Sequence, residues 1–67
     1  MTTLTVNGAP RPLGDAKTLL DLLNALGVKA PRVAVERNGE IIPAAEIPAT
    51  PVAPGDRIEI IQFVGGG

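Results

Sequence analysis

A chain of 67 residues without cysteine or histidine has room for one domain, held together by aliphatic packing with neither disulfides nor the usual soft metal ligands. Six basic residues balance seven acidic ones and Phe63 is the sole aromatic, which excludes a phosphate-binding stripe or a base-stacking platform and so a nucleic-acid partner. Serine and tyrosine are absent as well; most side chains that act as nucleophiles or as bases near neutral pH are therefore missing, and the chain is expected not to be an enzyme and to bind no metal or cofactor itself.

The opening Met1-Thr2-Thr3-Leu4-Thr5 has no basic or apolar leader pattern, and no stretch approaches a membrane span in length. A cytoplasmic location without a membrane partner is the expectation. Leu4 and Val6 alternate with Thr3 and Thr5, the period of a half-buried strand, and Asn7-Gly8 follows as a two-residue hairpin turn. The return arm, Ala9 to Leu13, contains Pro10 and Pro12. Neither proline donates a ladder hydrogen bond, so this arm belongs on a sheet edge.

Thr18-Leu19-Leu20-Asp21 has the form of a capping box and predicts a helix over residues 19 to 26, stopped by Gly27. Its apolar stripe is Leu19, Leu23 and Leu26, widened by Leu20 and Leu22. So short a helix has to lie against a sheet to persist. Val33 and Val35 then alternate with Ala34 and Glu36, and Asn38-Gly39 turns the chain into Glu40-Ile41-Ile42, a second hairpin. Pro43, Pro48, Pro51 and Pro54 break regular structure over a connecting stretch, with at most a short helical turn at Ala44 to Ile47. Gly55-Asp56 is read as a turn into the last strand, and Arg37 and Arg57 as solvated surface charge.

The last strand, Arg57 to Val64, is rich in β-branched residues and runs directly into Gly65-Gly66-Gly67. Alternation turns Ile58 and Ile60 toward the helix, and Glu59, Ile61 and Phe63 to the opposite face. Ile61 and Phe63 on that apolar second face, with Val64 at the root of the tail, are candidate partner-binding residues, the alternative being ordinary packing for loops or a dimer contact. The element order implies an α+β roll, a mixed sheet of about five strands with one helix packed across it.

Element order and tail together resemble the ubiquitin-like β-grasp fold. The run from Val33 to Pro43, then Gly55-Asp56-Arg57-Ile58-Glu59-Ile60, then the terminal Phe63-Val64-Gly65-Gly66-Gly67, resembles the ThiS family of thiamine biosynthesis over nearly the whole chain. On this resemblance residues 1–64 form the β-grasp domain and 65–67 a flexible glycine tail. A ThiF-type, E1-like adenylyltransferase activates the carboxylate of Gly67 with ATP, sulfur from a donor such as a cysteine desulfurase converts it to a thiocarboxylate, and a ThiG-type thiazole synthase consumes that sulfur. Gly65 and Gly66 form the passage into the partner, since glycine, lacking Cβ, fits a narrow channel, and three extended residues reach roughly 10 Å. The chain has no phosphate-cradling glycine loop of its own, so ATP belongs to the partner.

Two departures stand out. Many relatives place a basic and an aromatic residue after the proline where this chain has Ala44-Ala45-Glu46-Ile47. The Pro-Pro-Val-Ala-Gly-Gly-like ending of molybdopterin-synthase carriers is absent, which favours the thiamine branch. The alternatives are a sulfur carrier for molybdopterin synthesis or for protein or tRNA modification, and a non-catalytic β-grasp binding module with an inert tail.

Overall fold

The computed structural model describes residues 2–28 and 33–62. Five strands and one helix appear in the expected order: β1 (Thr3–Val6), β2 (Ala9–Pro12), α1 (Leu19–Leu26), β3 (Val33–Arg37), β4 (Glu40–Ile42) and β5 (Arg57–Gln62), with a 3₁₀ segment (Ala44–Ala49) between β4 and β5. They form one mixed sheet in the order β2-β1-β5-β3-β4. The arrangement is the β-grasp roll, with β5 as the central strand, parallel to β1 and antiparallel to β3.

Turn chemistry fixes both hairpins. Asn7 and Gly8 take φ of 50° and 82°, and Asn38 and Gly39 take 53° and 88°. Two consecutive left-handed residues make the type I′ turn, whose twist matches that of the flanking strands. The proline-bearing β2 lies on the sheet edge and pairs only with β1, where its missing amides leave no ladder bond unmade. Regular pairing stops at Pro12, and the Leu13 amide instead donates to the Thr2 carbonyl at 3.0 Å.

Helix α1 begins at a complete capping box: the Asp21 amide donates to Thr18 Oγ1, and Asp21 Oδ2 accepts from the Thr18 amide. It ends in a Schellman motif, with Gly27 at φ 75° and the amides of Gly27 and Val28 donating to the carbonyls of Asn24 and Leu23. Leu19, Leu22 and Leu23 are buried, and Leu20 and Leu26 only flank the core. Each buried leucine contributes roughly 1.5–3 kcal/mol, which is what lets eight residues hold a helix that water alone would melt.

The leucines meet Leu4 and Val6 of β1, Val33 and Val35 of β3, and Ile58 and Ile60 of β5, with Ile47 and Val52 closing the core. The last two lie in the stretch the sequence reads as a mere connection. The 3₁₀ segment, with its i→i+3 pattern, runs on through Pro48 to Ala49. Thr50 then closes it, donating both its amide and Oγ1 to the Glu46 carbonyl at 2.9 and 2.7 Å. Backbone bonds Leu19–Thr50 and Val52–Lys17 tie this stretch to the start of the helix.

Candidate carrier site at the end of the last strand

The candidate site lies where β5 ends, and two clusters hold that strand in place. The first is at its far end. Beyond Val6 the chain turns away from β5, so the β1 backbone no longer lies beside Ile60. Asn7 fills the gap with its side chain: Oδ1 accepts the Ile60 amide at 2.8 Å and Nδ2 donates to the Ile60 carbonyl at 3.2 Å. The left-handed backbone that makes Asn7 a turn residue also aims its amide at β5.

The second cluster anchors the strand's start. Ala53-Pro54-Gly55-Asp56 is a turn closed by the Asp56 amide on the Ala53 carbonyl, with Gly55 at φ 82° in the type II pattern. Asp56 is only 7% exposed. Its Oδ2 accepts from Arg37 Nε at 2.9 Å and from the Ala53 amide at 2.8 Å, and its Oδ1 accepts from Asn38 Nδ2 at 3.1 Å. Burial pushes this carboxyl upward, but hydrogen bonds from Asn38, Ala53 and Arg37 outweigh it and hold the group below the usual carboxylate range. Asn38 Oδ1 in turn accepts the Arg57 amide at 2.8 Å. This overturns the reading of Arg37 as solvated charge: it sits in register with buried Val33 and Val35, and its guanidinium reaches the buried anion. Arg57 remains exposed, as expected.

Alternation along β5 is as expected. Ile58 and Ile60 are buried, whereas Glu59 and Ile61 are exposed on the face away from the helix. Ile61 is 54% exposed, and the structure adds Ile41 of β4, 72% exposed, which alternation within the second hairpin places on the same face. Opposite that face, at the end of β5, a groove of about 290 Å³ is lined by Val6, Asn7, Arg11, Leu26, Val28, Ile60 and Gln62. Of the candidate site residues only Ile61 falls among the described ones. Phe63, Val64, Gly65, Gly66 and Gly67 lie outside them, as do the last two residues of the expected strand.

Among the described residues no group of three or more His, Cys, Asp or Glu side chains is placed to hold a metal ion, and no helix is long and apolar enough to cross a membrane. The model of the ThiS family matches residues 4–67. The chain belongs to the ThiS family.

Among relatives, it is 40% identical over 62 residues to the "Sulfur carrier protein ThiS" of Thermus thermophilus, covering 92% of this chain and 95% of that one. It is 44% identical over 64 residues to a "Thiazole synthase" of Paramagnetospirillum magneticum, covering 96% of this chain but 20% of that protein. The chain thus spans about a fifth of that longer relative. In fold it is similar to the crystal structure of the thiamine biosynthesis protein ThiS from Geobacter metallireducens, with a TM-score of 0.80, 43% identity, and coverage of 97% of this chain and 99% of that one. The β-grasp assignment made from element order and tail, and the ThiS resemblance carried by the sequence blocks, therefore hold.

Proposed function

We propose that the chain carries sulfur as a thiocarboxylate at Gly67 and delivers it for thiazole formation in thiamine biosynthesis. The coarse part follows from the family: ThiS proteins are small sulfur carriers of thiamine biosynthesis, not catalysts, and this chain is one of them. The observation that carries the finer reading is the family match running through residue 67, so that it includes all three glycines after β5.

The carboxylate of Gly67, with a reference pKa of about 3.5, is ionised at neutral pH and needs no base to attack the α-phosphorus of ATP. A new C–O–P link forms and pyrophosphate leaves. A sulfur nucleophile then attacks the acyl carbon and AMP departs with the carboxylate oxygen. If the donor is a persulfide, a thiol of the partner attacks the donor's sulfur in the resulting acyl disulfide, forms a disulfide with it, and releases the thiocarboxylate. ATP and donor belong to the partners, a ThiF-type adenylyltransferase and a cysteine desulfurase, since this chain has no side chain suited to either step. The thiazole synthase is the acceptor in this reading; its support is the two relatives named thiazole synthase, in which segments 44% and 37% identical to this chain belong to the same polypeptide.

The protein's own contribution is placement. Asn7 holds β5 at Ile60 and Asp56 anchors its start, and misplacing the reacting group by one residue is costly to a reaction that depends on alignment. ATP–pyrophosphate exchange with a ThiF-type enzyme tests this. Chains ending at Gly66, or extended by one residue past Gly67, are expected to lose exchange while keeping the wild-type melting temperature; exchange at the wild-type rate would refute the assignment to Gly67.

A further inference from the structure

Both hairpin turns carry an asparagine followed by glycine, Asn7-Gly8 and Asn38-Gly39, the pairing most open to spontaneous loss of the side-chain amide. The glycine nitrogen gives up its proton to water and attacks the asparagine Cγ, with no Cβ of its own in the way. The Cγ–Nδ2 bond breaks, ammonia leaves and a five-membered imide forms. Water then opens the ring at either carbonyl, giving aspartate or an isoaspartyl link that adds one methylene to the main chain. Both asparagines are exposed to water, yet both atoms of each amide are held. Asn7 is bound to the amide and carbonyl of Ile60. Asn38 accepts the Arg57 amide on Oδ1 at 2.8 Å and donates from Nδ2 to Asp56 Oδ1 at 3.1 Å. Ring closure needs the asparagine to rotate about both ψ and its Cα–Cβ bond, so these bonds must break first.

We propose that Asn38 is a hydrolytic modification site guarded by its own hydrogen bonds: the native cluster suppresses loss of ammonia, and a copy that opens and reacts cannot rebuild the cluster. The two turns differ in what the product meets. At position 7 the new oxygen faces the neutral carbonyl of Ile60, while the other oxygen still accepts the Ile60 amide. At position 38 it faces Asp56 Oδ1, on a carboxylate that is only 7% exposed. Two like charges within hydrogen-bond range cost far more than one lost bond. Arg37 Nε is already engaged with Oδ2, the other oxygen of Asp56. Because Asn38 also holds the Arg57 amide, the damage falls on the first residue of β5.

The test has two arms. In the first, the wild-type chain is aged at neutral pH, folded or in urea, and the exchange of amide for carboxylate is followed by peptide mass mapping. Conversion at Asn38 is expected to be about tenfold or more slower in the folded chain, since two hydrogen bonds must break before the ring closes. Equal rates in the two conditions overturn the proposal. In the second arm, thermal melts read the consequence of the product. Asn38→Asp is expected to lower the melting temperature by about 5–15 °C, and Asn7→Asp to lower it by clearly less. In an Asp56→Asn background, where a donor faces the new carboxylate, the drop caused by Asn38→Asp is expected to shrink about twofold or more. An equal drop in both backgrounds overturns the assignment to Asp56. Should Asn38→Asp alone fail to fold, the double variant decides: melting at or above Asp56→Asn supports the proposal, and failure to fold where Asp56→Asn folds overturns it.

Discussion

The side chain of Asn7 pairs with the backbone of Ile60 on both its amide and its carbonyl, at 2.8 and 3.2 Å, so one residue serves as the last rung of the β1–β5 ladder. Asn7→Gly keeps the left-handed turn but removes both bonds and leaves the Ile60 amide and carbonyl without them. It is expected to cost about 1–2 kcal/mol in urea denaturation. A loss well under 0.5 kcal/mol, the order expected of an ordinary surface change, would show that the bonds do not hold the strand.

Asp56 collects three donors from two separate parts of the chain and is nearly buried. Asp56→Ala removes the anion and strands the Asn38 amide and the Ala53 N–H, while Arg37, whose side chain is 29% exposed, turns partly to water. The expected loss is about 2–3 kcal/mol, read as a fall in the denaturation midpoint. Arg37→Met, which retains most of the stem, is expected to cost less than Asp56→Ala, because Asn38 and Ala53 still satisfy the carboxylate.

Acid is expected to weaken the fold through the same groups. Asp56 is held below the usual range against the effect of burial, and Asp21 is lowered by hydrogen bonds from the Lys17 and Thr18 amides. A carboxyl depressed in the folded state stabilises fully above its unfolded pKa, about 3.9 for aspartate, and that stability is lost as pH falls through the lower folded value. Stability against urea is thus expected to be flat near neutrality and to decline below about pH 4. In Asp56→Asn the decline is expected to be shallower; an equally steep one would exclude Asp56 as a main source.

Ile61→Asp places a charge on a side chain already half in water, so the melting temperature is expected to stay close to that of the wild type. Association with the adenylating enzyme or the synthase is expected to fall at least tenfold. Unchanged affinity for both would remove Ile61 from either interface.

Much of this architecture is legible in the sequence because local chemistry and global fold agree. Thr18 and Asp21 mark the start of the helix, Gly27 marks its end, and the two Asn-Gly pairs mark the hairpins. Alternation along β5 correctly divides Ile58 and Ile60 from Glu59 and Ile61. What escapes is non-local. The side-chain partners of Asp56 are 18 and 19 residues away in sequence, and the backbone partner of Asn7 is 53 away, so a turn motif reveals the backbone and hides the second use of its side chain. Ile47 escapes for a different reason: four prolines break the periodicity around it, although tertiary packing buries it to 1% exposure. Of the candidate site, the sequence names the glycine tail with Ile61, Phe63 and Val64, and only the strand register adds Ile41 to the face of Ile61.

The central claim is that the working group is the carboxylate of Gly67. Fragment mass spectrometry after incubation with a ThiF-type enzyme, ATP and a sulfur donor tests it most directly. One oxygen exchanged for sulfur, confined to the fragment ending in Gly67, is the expected result. A chain that stays unmodified under conditions that load another ThiS protein, or that takes up sulfur elsewhere, would contradict it.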